Sequence, residues 1–161
     1  MKKVEFSTEV LVYEDLNELQ DLEISLLQKA QDALAKAYAP YSEFLVGAAV
    51  LLDNGETLSG ANQENAAYPT CLCAERAVLG AAASVYPKVK PLMLAIVIKN
   101  LNKTESNPAA PCGECRQFIF ELESRYQSEI PILMKAQTEK VYKVASASEL
   151  LPLAFTKNDL I

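Results

Sequence analysis

The strongest constraint on the fold is a long apolar run, Phe44–Leu52, that ends at the turn sequence DNGE. A second strand-like segment, Thr57–Ala61, follows the turn at once. Asn-Gly between two strand patterns is the strongest short-range signal for a β-hairpin. A further apolar run over residues 92–98 lacks polar alternation, so it predicts a strand that is buried on both faces.

Helical periodicity predicts three helices around these strands, over residues 23–38, from about 70 to before Pro87, and from 111 onward. Thr70 is the expected N-cap of the second helix and Pro111 the first residue of the third. Two short strands, 130–135 and 140–145, and a short helical tail follow. The side chains expected to face the core are Leu27, Ala30, Leu34 and Ala37 in the first helix, Ala74, Ala77 or Val78, Ala81 and Val85 in the second, and Cys115, Phe118, Ile119 and Leu122 in the third.

The order α-β-β-α-β-α-β-β-α alternates helices with buried strands. It predicts an α/β protein whose sheet is covered on both faces, a three-layer α/β/α sandwich. Half of the 161 residues are apolar, which is enough for one core. We therefore expect a single domain over residues 23–161, preceded by an extension, residues 1–22, that forms a strand or an arm because its apolar residues alternate: Val4, Phe6, Val10 and Val12.

The charge balance restricts the partners of the protein. The chain has 15 basic and 21 acidic residues, a net charge of −6, and no basic stripe. A protein that grips a nucleic acid backbone needs clustered positive charge, so we expect no nucleic acid partner. No apolar run is long enough to cross a bilayer, and the opening sequence MKKVEFSTEVLVYED lacks the apolar core of a signal peptide. We therefore expect no membrane partner and a cytoplasmic location.

The cysteines indicate a metal site. The chain contains no histidine, which excludes Ser-His-Asp hydrolases, HExxH metalloproteases and every site that needs imidazole. It contains CAER at 73–76 and PCGECR at 111–116, both at expected helix starts. In a first helical turn Cys112 and Cys115 point to the same face, and Cys73 enters from another helix. Three thiolates can thus hold one Zn²⁺ and leave the fourth tetrahedral position to water, as in catalytic zinc sites.

The charges around such a site balance. Three thiolates and Zn²⁺ sum to about −1, against which two helix N-termini offer roughly +0.5 each, and Arg76 or Arg116 adds positive charge. Glu75 stands two residues from a ligand, where a carboxylate can take a proton from the water, pass it to a ring nitrogen and then protonate leaving ammonia. CAE together with PCxxC is the three-cysteine version of the zinc deaminase signature.

These motifs and the segments around them resemble the small homotetrameric cytidine deaminases. The matching segments follow one another through most of the chain: APYS (39–42), Phe44, VGAA (46–49), GANQENAAYP (60–69), CAER (73–76), PCGECRQ (111–117) and ELLPLAF (149–155). The resemblance implies a mixed five-stranded sheet, one Zn²⁺ per subunit and self-association, with a homotetramer expected. It also implies hydrolysis of free cytidine and 2′-deoxycytidine to the uracil nucleosides and ammonia, a reaction of pyrimidine salvage.

The resemblance assigns expected roles to single residues around the catalytic Glu75. Asn62 and Glu64 look like the pair that grips the ribose 3′-hydroxyl. Phe44 looks like the ring that packs on the pyrimidine, and Ala74 would offer backbone contacts to the base.

Three further residues match positions of the family outside this set. Tyr68 and Phe155 correspond to side chains that reach into a neighbouring subunit's site, so the site would be complete only in an oligomer. Arg76 corresponds to the arginine that hydrogen-bonds the ligand sulfurs. The chain departs from the family pattern in its long extension before Leu22 and in the additional Cys71.

Several alternatives stay open on the sequence. A CxxC motif alone is also typical of a structural zinc knuckle or a redox pair, and Cys71 would close a four-cysteine site, although the alternation in CLC favours a buried spectator instead. Gly47 and the alanines after it provide either tight packing or room for a nucleoside. The substrate could be a cytosine nucleoside analogue of the blasticidin type. A non-catalytic zinc-binding protein of the same fold is disfavoured by the intact Glu75.

Overall fold

The structure is a computed structural model that describes residues 1–160. Its single sheet contains β1 Leu11–Tyr13, β2 Phe44–Leu52, β3 Thr57–Ala61, β4 Pro91–Asn100, β5 Ile132–Lys135 and β6 Val141–Val144. The strands lie in the order β1-β6-β5-β4-β2-β3. Because β4 and β5 run parallel and every other neighbouring pair is antiparallel, the sheet is mixed, as expected.

Three α-helices cover the sheet: α1 Asp21–Ala33, α2 Ala74–Val85 and α3 Gly113–Tyr126. The remaining helical elements are short 3-10 turns at Leu16–Glu18, Leu34–Lys36, Tyr68–Thr70, Ala147–Leu150 and Lys157–Leu160. Within residues 1–160 no helix has the length and apolar character needed to span a bilayer.

The helices lie on both faces of the sheet, which confirms the three-layer α/β/α sandwich. On one face Leu27 of α1 packs against Ala49 of β2. On the other face Val78 of α2 and Ile119 of α3 pack around Val50, also of β2. Neighbouring residues of a strand point to opposite faces, so a strand covered on both sides is apolar at every position.

The hairpin predicted from the DNGE turn is present. β2 and β3 pair antiparallel from Gly47↔Ala61 to Leu51↔Thr57. Gly55 closes the turn with φ +84°, a left-handed conformation that residues with a Cβ rarely adopt.

The sheet has six strands, whereas five were expected. The sixth is β1, which comes from the segment 1–22 and pairs antiparallel with β6, as in Val12↔Tyr142. Tyr13 and Leu16 pack against the α1 side of the core, so the segment that follows the first ten residues belongs to the folded body.

Two helices begin later than predicted. Thr70 does not cap α2. Leu72 is extended and forms two backbone hydrogen bonds with Gln63, one as donor and one as acceptor, each of 2.9 Å, so the helix starts only at Ala74. Pro111 is not the first residue of α3, because Cys112 is extended with ψ 166° and caps the helix instead. The first helix ends earlier than predicted, at Ala33, and continues as the 3-10 turn rather than to residue 38.

The buried face of α2 also differs from the prediction. Val78 and Ala82 are buried, whereas Ala81 and Val85 are exposed. The helix is so rich in alanine that its hydrophobic periodicity is weak. Contact with the sheet therefore decides which face is buried: Val78 packs against Gly60, and a Cβ added to Gly60 would lie 3.6 Å from it.

Gly47 is required for packing and not for ligand space. A Cβ at this position would lie 2.1 Å from the carbonyl oxygen of Ala30 and 3.1 Å from the amide nitrogen of Leu34. Both atoms belong to the α1 side of the sheet, opposite α2 and α3, so Gly47 allows α1 to approach β2 closely.

Gly47→Ala is therefore expected to destabilise the protein by about 1–3 kcal/mol, because backbone atoms must move to admit the methyl group. The matched control is Gly80→Ala in α2, where no heavy atom lies within 4 Å of the new Cβ. This control is expected to stabilise the helix by up to about 1 kcal/mol. Guanidinium unfolding of both variants measures the difference, and equal midpoints would contradict the packing role of Gly47.

Candidate metal centre

Two helix starts bring three cysteines together. Cys73 is the N-cap of α2 and Cys112 the N-cap of α3, while Cys115 is the third residue of α3. Neither side chain makes the N-cap hydrogen bond to a backbone amide of its own helix, so both sulfurs are available to the other sulfurs of the cluster. Both helices lie on the same face of the sheet, and their N-termini meet at the carboxyl-terminal part of β4.

The separations of the sulfurs fit one zinc ion. Cys73 Sγ lies 3.8 Å from Cys112 Sγ, and Cys112 Sγ lies 3.4 Å from Cys115 Sγ. All three sulfurs lie within 4.8 Å of one another. Tetrahedral coordination with Zn–S bonds of about 2.3 Å places sulfurs roughly 3.8 Å apart, so a small adjustment suffices. Soft thiolates are also the donor class that selects zinc among the divalent cations.

The metal-free thiols do not ionise alike. A hydrogen bond from Cys115, assisted by the Arg76 guanidinium, lowers the pKa of Cys73 to about 5. The pKa of Cys115 is raised, because its proton bridges to Cys73 and its side chain is buried. Proton sharing between the two sulfurs therefore holds negative charge at the site before any metal arrives.

Arg76 lies beside this charge, where its guanidinium helps to lower the pKa of Cys73. Its role as a hydrogen-bond donor to zinc-bound sulfurs stays a prediction. It donates to the carbonyl oxygen of Cys71 at 3.0 Å and forms an ion pair with Glu114 at 3.1 Å. Its Nε is buried without a hydrogen-bond partner, the sole such side-chain nitrogen or oxygen within residues 1–160. The guanidinium thus links the start of α2 to the start of α3 and keeps positive charge next to the thiolates.

Arg116, the other cationic candidate, is placed differently. It donates to the carbonyl oxygens of Pro111 at 2.7 Å and Leu150 at 2.8 Å. Its contacts are therefore to the backbone on either side of α3 and not to the sulfurs.

A cavity of about 290 Å³ opens beside the three cysteines. It is close to the lower end of the size range of small-molecule sites, roughly 300–1,000 Å³. Several residues predicted for the site line it: Phe44, Asn62, Glu64, Cys73, Ala74, Glu75 and Cys112.

Glu75 is the buried acid of this cavity, with only 5% of its surface exposed. Burial raises the pKa of its carboxyl group, and the negative charge of Cys73 acts in the same direction. A carboxyl group with a raised pKa can carry a proton closer to neutral pH than an exposed glutamate does, which suits it to accept and return protons.

Asn62 and Glu64 are held by backbone groups on one wall. Asn62 Oδ1 accepts from the amide of Val46 and its Nδ2 donates to the carbonyl of Phe44, each at 2.9 Å. Glu64 Oε2 accepts from the amide of Tyr41 at 2.9 Å. Hydrogen bonds from Ser42, together with this amide, lower the pKa of Glu64, so its carboxylate stays ionised as an acceptor.

Tyr68 and Phe155 do not line this cavity. Tyr68 is 67% exposed and meets Tyr41 edge-on, with ring centroids 5.8 Å apart, at a second cavity of about 320 Å³. Glu64 and Cys71 line both cavities, so the two adjoin. Phe155 is 56% exposed near the end of the chain.

The structure adds residues that the sequence reasoning did not single out. Ala109 and Ala110 form part of the cavity wall just before the PCGEC motif, and Ile96 and Ile98 form part of its floor. Only their position next to a motif or in a buried strand could have indicated them. Cys71 lies outside the three-sulfur cluster and is half-buried rather than buried, and its Sγ accepts from the amide of Asn65 at 3.3 Å.

Comparison with known sequences assigns the chain to a family. Residues 21–128 match the family described as the cytidine and deoxycytidylate deaminase zinc-binding region. The match spans more than half of the chain and contains Glu75 and all three clustered cysteines. The protein therefore belongs to this family of zinc proteins.

Individual relatives agree with this assignment. The chain is 37% identical to a cytidine deaminase of Halalkalibacterium halodurans over 135 residues, which are 84% of this chain and 95% of the relative. It is 36% identical to a cytidine deaminase of Mycobacterium tuberculosis over 88% of this chain and 96% of the relative. The crystal structure of cytidine deaminase from Burkholderia pseudomallei superposes with a TM-score of 0.69 and 37% identity, and covers 82% of this chain and 98% of that one.

The unequal thiols predict an order of chemical labelling. In metal-free protein Cys73 is expected to react with iodoacetamide far faster than Cys115, and to keep its rate down to about pH 5, because the thiolate is the nucleophile. Peptide mapping by mass spectrometry between about pH 4 and pH 8 measures both rates. Saturation with Zn²⁺ is the control and should protect both residues. Faster labelling of Cys115 would contradict the assigned direction of proton sharing.

Proposed function

We propose that this protein catalyses the zinc-dependent hydrolytic deamination of free cytidine and 2′-deoxycytidine, which yields uridine or 2′-deoxyuridine and ammonia. The observation that carries the proposal is the buried Glu75 carboxyl group in the same cavity as the clustered thiols of Cys73 and Cys112. A structural zinc site requires no acid–base residue beside an accessible cavity, whereas a hydrolytic zinc site requires a residue that transfers protons.

The residues divide the chemistry between metal binding and proton transfer. Cys73, Cys112 and Cys115 would hold a Zn²⁺ ion, which would act as a Lewis acid, lower the pKa of a water molecule and so supply the nucleophile for C4 of cytosine. Glu75 accepts a proton from that water and delivers one to N3 of the ring. The same carboxylate then takes the proton of the hydroxyl group newly formed on C4 and passes it to the departing 4-amino group. The C4–N bond breaks as the C4 carbonyl forms, so that water is consumed and ammonia leaves. Arg76 offsets the negative charge of the thiolates.

The cavity wall provides contacts for the rest of the nucleoside. The ring of Phe44 stacks on the pyrimidine, and the backbone of Ala74 contacts the base beside Glu75. Glu64 accepts a hydrogen bond from the ribose 3′-hydroxyl through its remaining oxygen, and Asn62 shapes the same end of the site. The lowered pKa of Glu64 supports this role, because an ionised carboxylate is the stronger acceptor.

The lining favours a nucleoside over a nucleotide. Neither lysine nor arginine is among the residues that line the two adjoining cavities, whereas Glu64 lines both. A 5′-phosphate placed there would meet a carboxylate and no cation. The net charge of −6 disfavours a nucleic acid substrate for the same reason.

The site is complete only in an oligomer, and a homotetramer is the expected form. Tyr68 and Phe155 are large and exposed and do not line the cavity that contains Glu75, which is consistent with contact to a neighbouring subunit's site. We assign catalysis to the domain of residues 23–161, of which Ile161 lies outside the described residues, with residues 1–22 as an extension. A reducing compartment such as the cytoplasm keeps three thiolates available for zinc.

Glu75→Gln is expected to bind zinc normally but to lower kcat by about 10²–10⁴-fold, because the amide cannot carry the proton. The loss of absorbance as cytidine is deaminated measures turnover, and elemental analysis measures zinc. Glu121→Gln on the exposed side of α3 is the matched control. Near-normal turnover of Glu75→Gln would refute the mechanism.

A substrate panel separates the proposal from its alternatives. Cytidine, 2′-deoxycytidine, deoxycytidylate and a blasticidin-type analogue are assayed with the same zinc-loaded protein. Turnover of the two nucleosides above the others supports the proposal. Preference for the analogue or for deoxycytidylate would reassign the substrate, and no turnover of any compound would indicate a non-catalytic zinc protein.

Shared sites predict complementation between two defective variants. Phe155→Ala lacks the side chain offered to the neighbour, and Glu75→Gln lacks the proton carrier of its own site. Mixed oligomers from co-expression contain some sites with Glu75 from one subunit and Phe155 from the other. Their activity is expected to exceed the average of the two parent variants, and an activity equal to that average would contradict sharing of the site.

A further inference from the structure

The chain between the 3-10 turn Ala147–Leu150 and Phe155 has little structure of its own. Leu153 adopts φ +58°, a left-handed conformation that is unfavourable for a residue with a Cβ. Leu153 is also 86% exposed, so packing does not compensate for the strain. A segment of this kind keeps one conformation only if contacts from elsewhere hold it.

Helix α3 provides one set of these contacts. Glu123 is buried and accepts from the amide of Ala147 at 3.1 Å, which fixes the start of the turn. Arg116 donates to the carbonyl of Leu150 at 2.8 Å, and Gln117 donates to the carbonyl of Phe155 at 2.8 Å. Cys112 caps this helix and Cys115 lies in its first turn, so the same helix contacts both the 147–155 segment and the metal centre.

The N-terminal segment provides a second, independent set. Thr8 Oγ1 donates to the carbonyl oxygen of Glu149 at 2.5 Å, and the amide of Glu9 donates to Glu149 Oε2 at 3.1 Å. Two residues later the chain enters β1, which pairs with β6 from Leu11↔Lys143 onward. The contacts to Glu149 are therefore anchored on the sheet rather than on a free arm.

This second set lies outside the part of the chain that defines the family. The family match begins at residue 21, and 84% of this chain suffices to cover 95% of the relative from H. halodurans. The interaction between residues 8–9 and Glu149 is thus an addition to the shared domain, and it reaches the segment from which Phe155 projects.

We propose that residues 8–13 form a brace that positions the 147–155 segment through Glu149 and thereby sets the orientation of Phe155 toward the site of a neighbouring subunit. The role of Phe155 rests on the proposed function, whereas the brace itself does not. Glu149 is a positioning residue in this scheme: it belongs to the 147–155 segment and contacts the brace, but it does not contact the substrate.

The test compares two variants of the full-length, zinc-loaded protein, Thr8→Ala and Glu149→Ala, with Glu5→Ala as the control. Glu5 lies in the same exposed segment but pairs only with Lys3. Each variant removes one hydrogen bond, which is expected to raise the KM for cytidine about three- to tenfold while kcat changes less than about twofold. Amide hydrogen exchange in residues 147–156 is expected to become about tenfold faster, with zinc content unchanged. Glu149→Gln keeps an acceptor for the amide of Glu9 and should restore most of the wild-type behaviour.

The same measurements in a Phe155→Ala background show whether Glu149 acts through Phe155. The KM effect of Glu149→Ala is then expected to disappear, because the side chain that the brace positions is gone. Unchanged exchange and KM in Thr8→Ala and Glu149→Ala would overturn the proposal, and so would faster exchange with an unchanged KM. If Phe155→Ala raises KM while Glu149→Ala does not, the proposal that residues 8–13 position Phe155 is contradicted, whereas the proposed role of Phe155 stands. If Phe155→Ala has no effect, the proposed role of Phe155 fails, and the exchange rates still report on the brace.

Discussion

The convergence of two helix N-termini at one end of β4 is the constraint on which the site depends. The crossover from β4 through α3 to the parallel strand β5 places α3 on the same face as α2, and ligand sites of α/β sheets form at such carboxyl ends. Cys73 and Cys112 occupy the two N-cap positions, so their sulfurs meet across a short gap. Each helix alone presents only part of a ligand set.

Electrostatics explain why these particular residues surround the gap. Negative sulfurs gain stabilisation from the positive ends of two helix dipoles and from the Arg76 guanidinium. Burial, together with the same negative charge, raises the pKa of Glu75, so its carboxyl group holds a proton more readily than that of an exposed glutamate. Metal ligation and proton transfer are therefore linked, because one cluster of thiolates both binds a cation and tunes the acid beside it.

The remainder of the site is distributed over segments that are far apart in sequence. Backbone groups of the β2 start and of residue 41 fix Asn62 and Glu64, and Phe155 is held by α3 at the other end of the chain. Tyr68 and Phe155, in contrast, are exposed and do not line the cavity that contains Glu75. The added strand β1 pairs with β6, so this edge of the sheet is a strand of only 3 residues; very short edge strands are one way in which proteins limit edge-to-edge association.

The amino-acid sequence by itself determined the element order, the β2–β3 hairpin and the CAE and CxxC motifs, because turn chemistry, strand patterning and the i, i+3 spacing are local properties. Other features were decided by tertiary contacts. Leu72 pairs with Gln63 and so delays α2, and contact with the sheet buries Val78 and Ala82 of an alanine-rich helix, whereas Ala81 and Val85 stay exposed. The cavity wall at Ala109 and the pairing of β1 with β6 also depend on partners distant in sequence. The alternation in the first 22 residues indicated a strand or an arm but could not identify its partner, because a local pattern does not specify long-range contacts.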